Sequence, residues 1–285
     1  MRINCCIPTR NKNRYVVEFV NETARRARLP DTKIVLGYDD DDWQLQGVPL
    51  KFGPRNIDMS IGPREDSLGA KYNRCARHYD ADLYVMCVDD VSISTPGWDE
   101  RLAEAASLFK DGIGYLYFGT EKNGEFLPPM MAVTRRVVDL VGFCPEYFPF
   151  WFNNMWNHEV AAAIGGIGQR IVGVPIEVRY PEGAMHEPPR RDVNFWAQFF
   201  DNSRPLRVAQ AARLIEAMDD GPTAKAMLKA MMMPRLKQAA TLNTLLRDPS
   251  FAESMVRVED PLDARHERLK AQARKTIDLL NQKAA

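Results

Sequence analysis

The chain has no long apolar run. None of its stretches approaches the roughly 20 residues needed to cross a bilayer, and its start, Met1-Arg2-Ile3-Asn4, carries no apolar leader. Any membrane contact is therefore expected to be peripheral. Net charge is missing as well: 38 Lys and Arg balance 38 Asp and Glu, which argues against broad electrostatic attraction to nucleic acid or an anionic membrane. Cysteine is scarce and odd in number. The five, Cys5, Cys6, Cys75, Cys87 and Cys144, sit mostly in apolar runs without paired zinc-ligand spacing, so they are expected to be reduced core residues of a cytoplasmic protein. The loop Pro8-Thr9-Arg10-Asn11-Lys12-Asn13 contains no glycine, so the usual phosphate-cradling loop is absent after the first apolar run. Gly165-Gly166-Ile167-Gly168 follows a helical pattern instead of a strand and reads as a helix stop. There is no internal repeat and no low-complexity segment.

What is present is an alternation of strand and helix signals over the first two hundred of 285 residues. Strands are predicted at Ile3–Ile7, Lys33–Tyr38, Asp82–Val88, Ile113–Phe118 and Met130–Val133, with a short one at Val48–Phe52. Ile171–Tyr180 reads as one strand, or two broken at Pro175. Helices are predicted at Arg14–Arg28, Gly69–Tyr79, Trp98–Lys110 behind a Thr95-Pro96 cap, Thr134–Val141 and His158–Ile164. This order implies an α/β fold with a mostly parallel sheet covered on both faces. Beyond residue 200 strand signals stop. Leu206, Ala209, Ala212 and Ile215 fit one helical face, an Ala/Met/Leu-rich stretch runs from Pro222 to Leu246, and a last helix follows Asp260-Pro261 with Leu262, Leu269, Ala273, Ile277 and Leu280 on one side. The predicted division is a domain over 1–200 and a helical appendage over 201–285. Met227, Met231, Met232 and Met233 suit an adaptable contact surface; ordinary helix packing accounts for them more simply. The C-terminal helices are the natural place for a dimer contact.

Two acidic segments carry most of the chemistry. Leu36-Gly37-Tyr38-Asp39-Asp40-Asp41-Asp42-Trp43 and Tyr84-Val85-Met86-Cys87-Val88-Asp89-Asp90-Val91 are each an apolar run ending in adjacent carboxylates. Strand ends hold such groups side by side, where like charges repel unless a cation or donors intervene. Hard cations such as Mg²⁺ or Mn²⁺ take oxygen ligands and bridge to phosphate. The alternative for either segment alone is a solvated turn.

Four pieces in order resemble the GT-A glycosyltransferases, and within them glycosyltransferase family 2. They are Ile7-Pro8-Thr9-Arg10-Asn11, Ile34-Val35-Leu36-Gly37-Tyr38-Asp39-Asp40, Leu68-Gly69-Ala70-Lys71-Tyr72-Asn73, and Val88-Asp89-Asp90-Val91 with Thr95-Pro96-Gly97-Trp98-Asp99. A weaker match runs from Trp156-Asn157-His158-Glu159 to His186, and the C-terminal helices lie outside it. The resemblance implies a GT-A, Rossmann-like mixed sheet flanked by helices, with the α-helical C-terminal appendage added. It also implies transfer of a sugar from a nucleotide-diphosphate donor, uridine-linked by expectation, to an acceptor hydroxyl on a glycan, lipid-linked sugar or small molecule.

The resemblance further implies residue roles. Pro8, Thr9 and Arg10 would line the nucleotide pocket, with Arg10 able to make a two-pronged hydrogen bond. Asp39 or Asp40 would contact the base, and Lys71 and Asn73 the ribose or diphosphate. Asp90 is the first choice and Asp89 the second for the acid that binds Mn²⁺ or Mg²⁺; Val88 stands where the family often has another acid. His186 is a further metal or diphosphate candidate, and Arg190-Arg191 an alternative diphosphate partner. Glu159 would be the catalytic base of an inverting reaction, with His158 as base or orienting group; apart from the resemblance, Glu159 reads as a solvated acid at a helix start. The rivals are a catalytically silent nucleotide-sugar-fold binding protein and a sugar nucleotidyltransferase, the latter disfavoured by the glycine-free first loop.

Overall fold

The first apolar run becomes the middle of a sheet. β1 (Ile3–Pro8) is buried along its whole length. It pairs in parallel with β2 (Thr32–Asp39), Ile3 opposite Thr32, and with β4 (Leu83–Met86), Ile3 opposite Leu83. β3 (Ile57–Gly62) lies parallel to β2. β7 (Met130–Thr134) runs antiparallel to both β4 and β6 (Tyr115–Phe118), and β8 (Ile171–Gly173) runs parallel to β6. The result is a seven-stranded mixed sheet in the order β3-β2-β1-β4-β7-β6-β8. A strand buried on both faces favours apolar residues at most positions, which is why these runs are near-continuous and not alternating. β5 (Ser92–Ile93) and β9 (Val178–Arg179) form a separate two-stranded ribbon. As a computed structural model, the structure describes residues 1–10, 13–42, 54, 56–119, 130–150, 152–165, 170–180, 192–242 and 264–284.

The chain divides into two compact units that do not follow a single cut at residue 200. One comprises Met1–Glu65, Ala70–Phe143 and Ile167–Met185; the other comprises Asp66–Gly69, Cys144–Gly166 and His186–Ala285. The first unit holds both sheets, α1 (Asn13–Arg26), α3 (Trp98–Ala106), α4 (Arg135–Val141) and all but the first two residues of α2 (Leu68–His78). Its core joins Ile3, Cys5 and Ile7 of β1 to Val16 and Val20 of α1, Trp98 and Leu102 of α3, and Leu83 and Val85 of β4. Asp99 ties α3 to the turn before β2. Its fully buried carboxylate accepts the backbone N–H of Arg28 at 2.9 Å and of Leu29 at 2.8 Å, and the Thr32 hydroxyl at 2.7 Å.

The second unit contains α5 (Asn153–Ile164), α6 (Val193–Asn202), α7 (Arg204–Ala217), α8 (Pro222–Leu242) and α9 (Ala264–Ala284). α5 packs on α7 and α8. Phe148, Phe152, Trp156, Trp196 and Phe200 are buried together, with Phe152 and Phe200 stacked at 5.2 Å between ring centroids.

Several local expectations shift. The cap of α3 is Gly97, left-handed at φ 67°, and not Thr95, whose hydroxyl instead accepts the Glu177 N–H at 2.7 Å. Ile171–Tyr180 is two strands separated around Pro175. β3 was not anticipated, and the Val48–Phe52 strand lies outside the described residues. The buried face of α7 is Arg207, Ala211, Leu214 and Ile215, while Ala209 of the expected stripe is exposed. The stripe turns because a charged residue, Arg207, belongs to the interior. Leu269 and Ala273 of α9 are buried as their spacing predicts. Met232 packs inward, but Met227, Met231 and Met233 are 67%, 46% and 42% exposed, so ordinary packing explains only one of the four.

Candidate nucleotide site

Strand order reverses on either side of β1: β2 and β3 follow one edge, β4 and β7 the other. At such a switch point the loops leaving the carboxyl ends of adjacent parallel strands diverge and open a crevice, the usual ligand position in open α/β sheets. The residues at the ends of β1, β2 and β4 are Thr9-Arg10, Asp39 to Asp42, and Val88 to Asp90. The two acidic segments are therefore gathered at one end of the sheet by the parallel pairing of their strands with β1.

The switch point itself is bridged. Thr9, nearly buried, donates its hydroxyl to Asp89 Oδ2 at 2.9 Å. The Thr9 N–H donates to the Gly37 carbonyl at 2.9 Å and the Cys87 N–H to the Cys6 carbonyl at 3.1 Å, so both strand ends stay in register past the formal strands. Asp89 and Asp90 follow in a turn and are partly exposed. Asp90 offers one carboxylate to a hard cation, and Val88 offers none. No group of three metal-ligating side chains occurs among the described residues, and His186, Arg190 and Arg191 lie outside them. The donor set fits a cation shared with a diphosphate and water, and does not fit an all-protein metal cage.

On the other side of β1 the aspartates of the second segment separate by environment. Asp39 is 0% exposed, Asp42 is also buried, and Asp40 and Asp41 face solvent. Around Asp39 stand three cations. Arg10 Nη1 lies 2.9 Å from Oδ2, Lys71 Nζ 2.7 Å from Oδ1, and Arg74 Nη2 3.6 Å from Oδ1. Arg10 also makes a two-pronged pair with Asp41 at 2.6 and 3.3 Å, and Arg74 pairs with Glu65. Burial pushes the Lys71 pKa down, against the opposing pull of Asp39. Burial acts the same way on Arg10, where the pairs with Asp41 and Asp39 outweigh it and raise the pKa.

α2 delivers these cations because three contacts fix it. Buried Asn4 of β1 donates its amide to the carbonyls of Cys75 at 3.1 Å, Ala76 at 3.3 Å and Tyr79 at 2.8 Å, closing the helix C-terminus. Tyr72 donates its hydroxyl to the Cys87 carbonyl at 2.8 Å, tying the helix to the end of β4. Gly37 lets the helix approach β2: a Cβ there would stand 2.5 Å from Cys75 Sγ and 3.3 Å from Lys71 Cγ.

Of the residues singled out in the sequence, Thr9, Arg10, Asp39, Lys71 and Asp89 thus come together, with Pro8 buried beneath Thr9 and Asp40 and Asp90 adjoining. Asn73 does not share the Lys71 face. Two residues on, it points about 200° around the helix. Arg74 instead shares the Lys71 side and reaches Asp39; its signal was the three-residue spacing from Lys71 that puts both on one side.

Glu159 and His158 are placed differently from expectation. Because α5 begins at Asn153, Glu159 lies in mid-helix and is fully buried. Its Oε2 accepts Arg207 Nε at 2.7 Å, with both side chains 0% exposed. Arg207 also donates to the Phe200 carbonyl at 2.7 Å and to Ser203 Oγ at 3.2 Å, and its guanidinium lies 3.9 Å from the Phe200 ring centroid and 4.8 Å from that of Trp156. An acid so enclosed is not a solvated helix-start residue. His158 is 5% exposed, and burial lowers its pKa to about 4, so near neutral pH it is an uncharged interior group.

No family model matches the chain, and no curated protein matches its sequence. Solved structures do match in shape. Staphylococcus aureus TarS 1–349 in complex with UDP-GlcNAc aligns with a TM-score of 0.51 at 15% identity, over 97% of this chain and 80% of that one. Glucosyl-3-phosphoglycerate synthase from Mycobacterium tuberculosis, in complex with Mn²⁺, UDP and phosphoglyceric acid, aligns with a TM-score of 0.51 at 12% identity, over 72% of this chain and 78% of that one. The fold is GT-A. The GT-A sheet accounts for the mixed strand order, and the expected α/β class with a Rossmann-like sheet and flanking helices is the one observed. No helix among the described residues is long and apolar enough to cross a membrane.

Proposed function

We propose that the protein is a glycosyltransferase that takes a sugar from a nucleotide-diphosphate donor, uridine-linked, and passes it to an acceptor hydroxyl. One observation carries this reading: the Thr9–Asp89 hydrogen bond spans the β1/β4 switch point, with Arg10 and Lys71 held beside it. Two neighbours in shape were captured with UDP-GlcNAc and with Mn²⁺ and UDP, which fits a uridine donor and a divalent cation here. Thr9 and Asp89 orient the ribose side of the nucleotide, exposed Asp40 accepts the imide N–H of the base, and Arg10 and Lys71 face the diphosphate. Asp90 would hold Mn²⁺ or Mg²⁺, which when bound stabilises the departing diphosphate. Glu159 and His158 are assigned a structural role in this reading.

Val88, where an acid was expected, favours a second reading, a catalytically silent binding protein. Both readings meet one experiment. Titration calorimetry with UDP, GDP and dTDP, followed by incubation of the matching sugar donors with Mn²⁺, should show uridine nucleotide binding and slow release of UDP. Binding without release selects the silent protein. No binding of any nucleotide rejects both. Asp90→Asn should remove the Mn²⁺ dependence of binding, and unchanged dependence would move the metal elsewhere.

A further inference from the structure

Asp39 matches the position at which a base-contacting acid was expected, yet its surroundings do not suit that task. Accepting an imide N–H requires a carboxylate lone pair that a ligand can reach. The Asp39 side chain is 1% exposed: Oδ2 accepts a hydrogen bond from Arg10 Nη1 at 2.9 Å, and Oδ1 is enclosed by ion pairs with Lys71 at 2.7 Å and Arg74 at 3.6 Å, neither of them a hydrogen bond. Three cationic groups from two separate segments converge on this carboxylate, and burial keeps a ligand from its remaining lone pairs. Asp40, one residue on, faces solvent.

We infer that Asp39 is a positioning residue for phosphate recognition: it holds the guanidinium of Arg10 and the ammonium of Lys71 in fixed places at the end of the sheet, and does not itself read the base. Of these cations Arg10 has outward-facing capacity, while the Lys71 ammonium is buried between Asp39 at 2.7 Å and the Thr9 carbonyl at 3.4 Å. Arg10 is 25% exposed on its side chain, and its outer contact is to Asp41, a half-exposed carboxylate that an incoming diphosphate can replace. Asp39, buried, cannot be displaced in the same way and keeps Arg10 in place while the outer partner changes. Charge balance agrees: Arg10, Lys71 and Arg74 meet Asp39, Asp41 and Glu65, so without Asp39 the buried ends of three long cationic side chains lose their common anchor. Gly37 and the Asn4 amide, by seating α2, serve the same geometry. This inference rests on the nucleotide reading above.

The test separates phosphate from base. Binding of inorganic pyrophosphate, UDP and CDP is measured by calorimetry for the wild type and for Asp39→Asn. Loss of a charge-assisted anchor should weaken pyrophosphate and UDP by a common factor of about tenfold or more, with the ratio of UDP to CDP affinity unchanged. A merely structural defect would reduce the folded fraction without altering the affinity of what remains. A base-reading Asp39 would give the opposite pattern, with the UDP preference lost and pyrophosphate binding intact, and that result overturns the inference. If Asp39→Asn does not fold, Arg10→Gln carries the test at a partly exposed position. It must weaken pyrophosphate similarly and leave the base preference alone, and unchanged pyrophosphate affinity refutes the inference. A wild-type protein that binds neither UDP nor pyrophosphate rejects the nucleotide reading as a whole.

Discussion

The buried Glu159–Arg207 pair makes the sharpest prediction, because its two readings diverge in sign. The guanidinium is enclosed by Phe200 and Trp156, and burial already lowers its pKa to about 10 even with Glu159 pulling upward. Taking away one partner leaves the other charge in an interior without compensation, which costs about 3–5 kcal/mol. Glu159→Leu and Arg207→Met should therefore each lower unfolding free energy by about 3 kcal/mol or more. The double substitution removes both desolvation penalties and restores apolar packing, so it should cost less than about 1 kcal/mol. The coupling in the double-mutant cycle is then several kcal/mol, far beyond the few tenths expected of independent sites. Equilibrium urea unfolding read by tryptophan fluorescence suits the measurement, since Trp156 touches the Arg207 guanidinium. Costs that simply add, or a Glu159→Leu penalty under about 1 kcal/mol, would refute the argument. A Glu159→Gln variant with full stability and no turnover would return Glu159 to the catalytic role.

Three further outcomes follow from single sites. Burial lowers the His158 pKa to about 4 from an ordinary 6.5, so the unfolded chain binds the extra proton between those values. Stability is complete above that window and falls as pH drops through it, by about 2 kcal/mol from pH 7 to pH 5; His158→Gln should flatten the slope, and an unaltered slope would exclude His158 as its source. Gly69→Ala places a Cβ into the Pro145 carbonyl oxygen, a backbone atom that cannot swing aside, and should cost about 3 kcal/mol in urea unfolding, whereas a neutral result would mean the helix start yields freely. Asp99→Ala leaves the Arg28 and Leu29 amides and the Thr32 hydroxyl without their acceptor and should cost about 3 kcal/mol or more; hydrogen exchange at those two amides, unchanged from wild type, would contradict it.

What could be read ahead of the structure was whatever a short stretch of chain states by itself. Ile3–Pro8, Thr32–Asp39 and Leu83–Met86 are predominantly apolar without alternation because each strand is covered on both faces, and that pattern needs no knowledge of partners. The acidic strand ends were legible for the same reason, whereas their meeting at one end of the sheet depends on the pairing of both strands with β1. The division of labour among four consecutive aspartates was not, because it depends on Arg10 and on Lys71 and Arg74, tens of residues away, closing over Asp39 alone. Glu159 shows the same limit more strongly. Periodicity counts a glutamate and an arginine as surface residues, so it turned the α7 stripe away from Arg207 and began α5 too late, at His158 instead of Asn153. Each error followed from treating charge as a property of one residue. In an interior the unit that is buried is the pair, and two residues 48 positions apart leave no mark on either local pattern. The polar residues of this chain whose roles the sequence left undecided are those whose partners lie in another segment, and their variants are the ones in which stability and ligand affinity must be measured together.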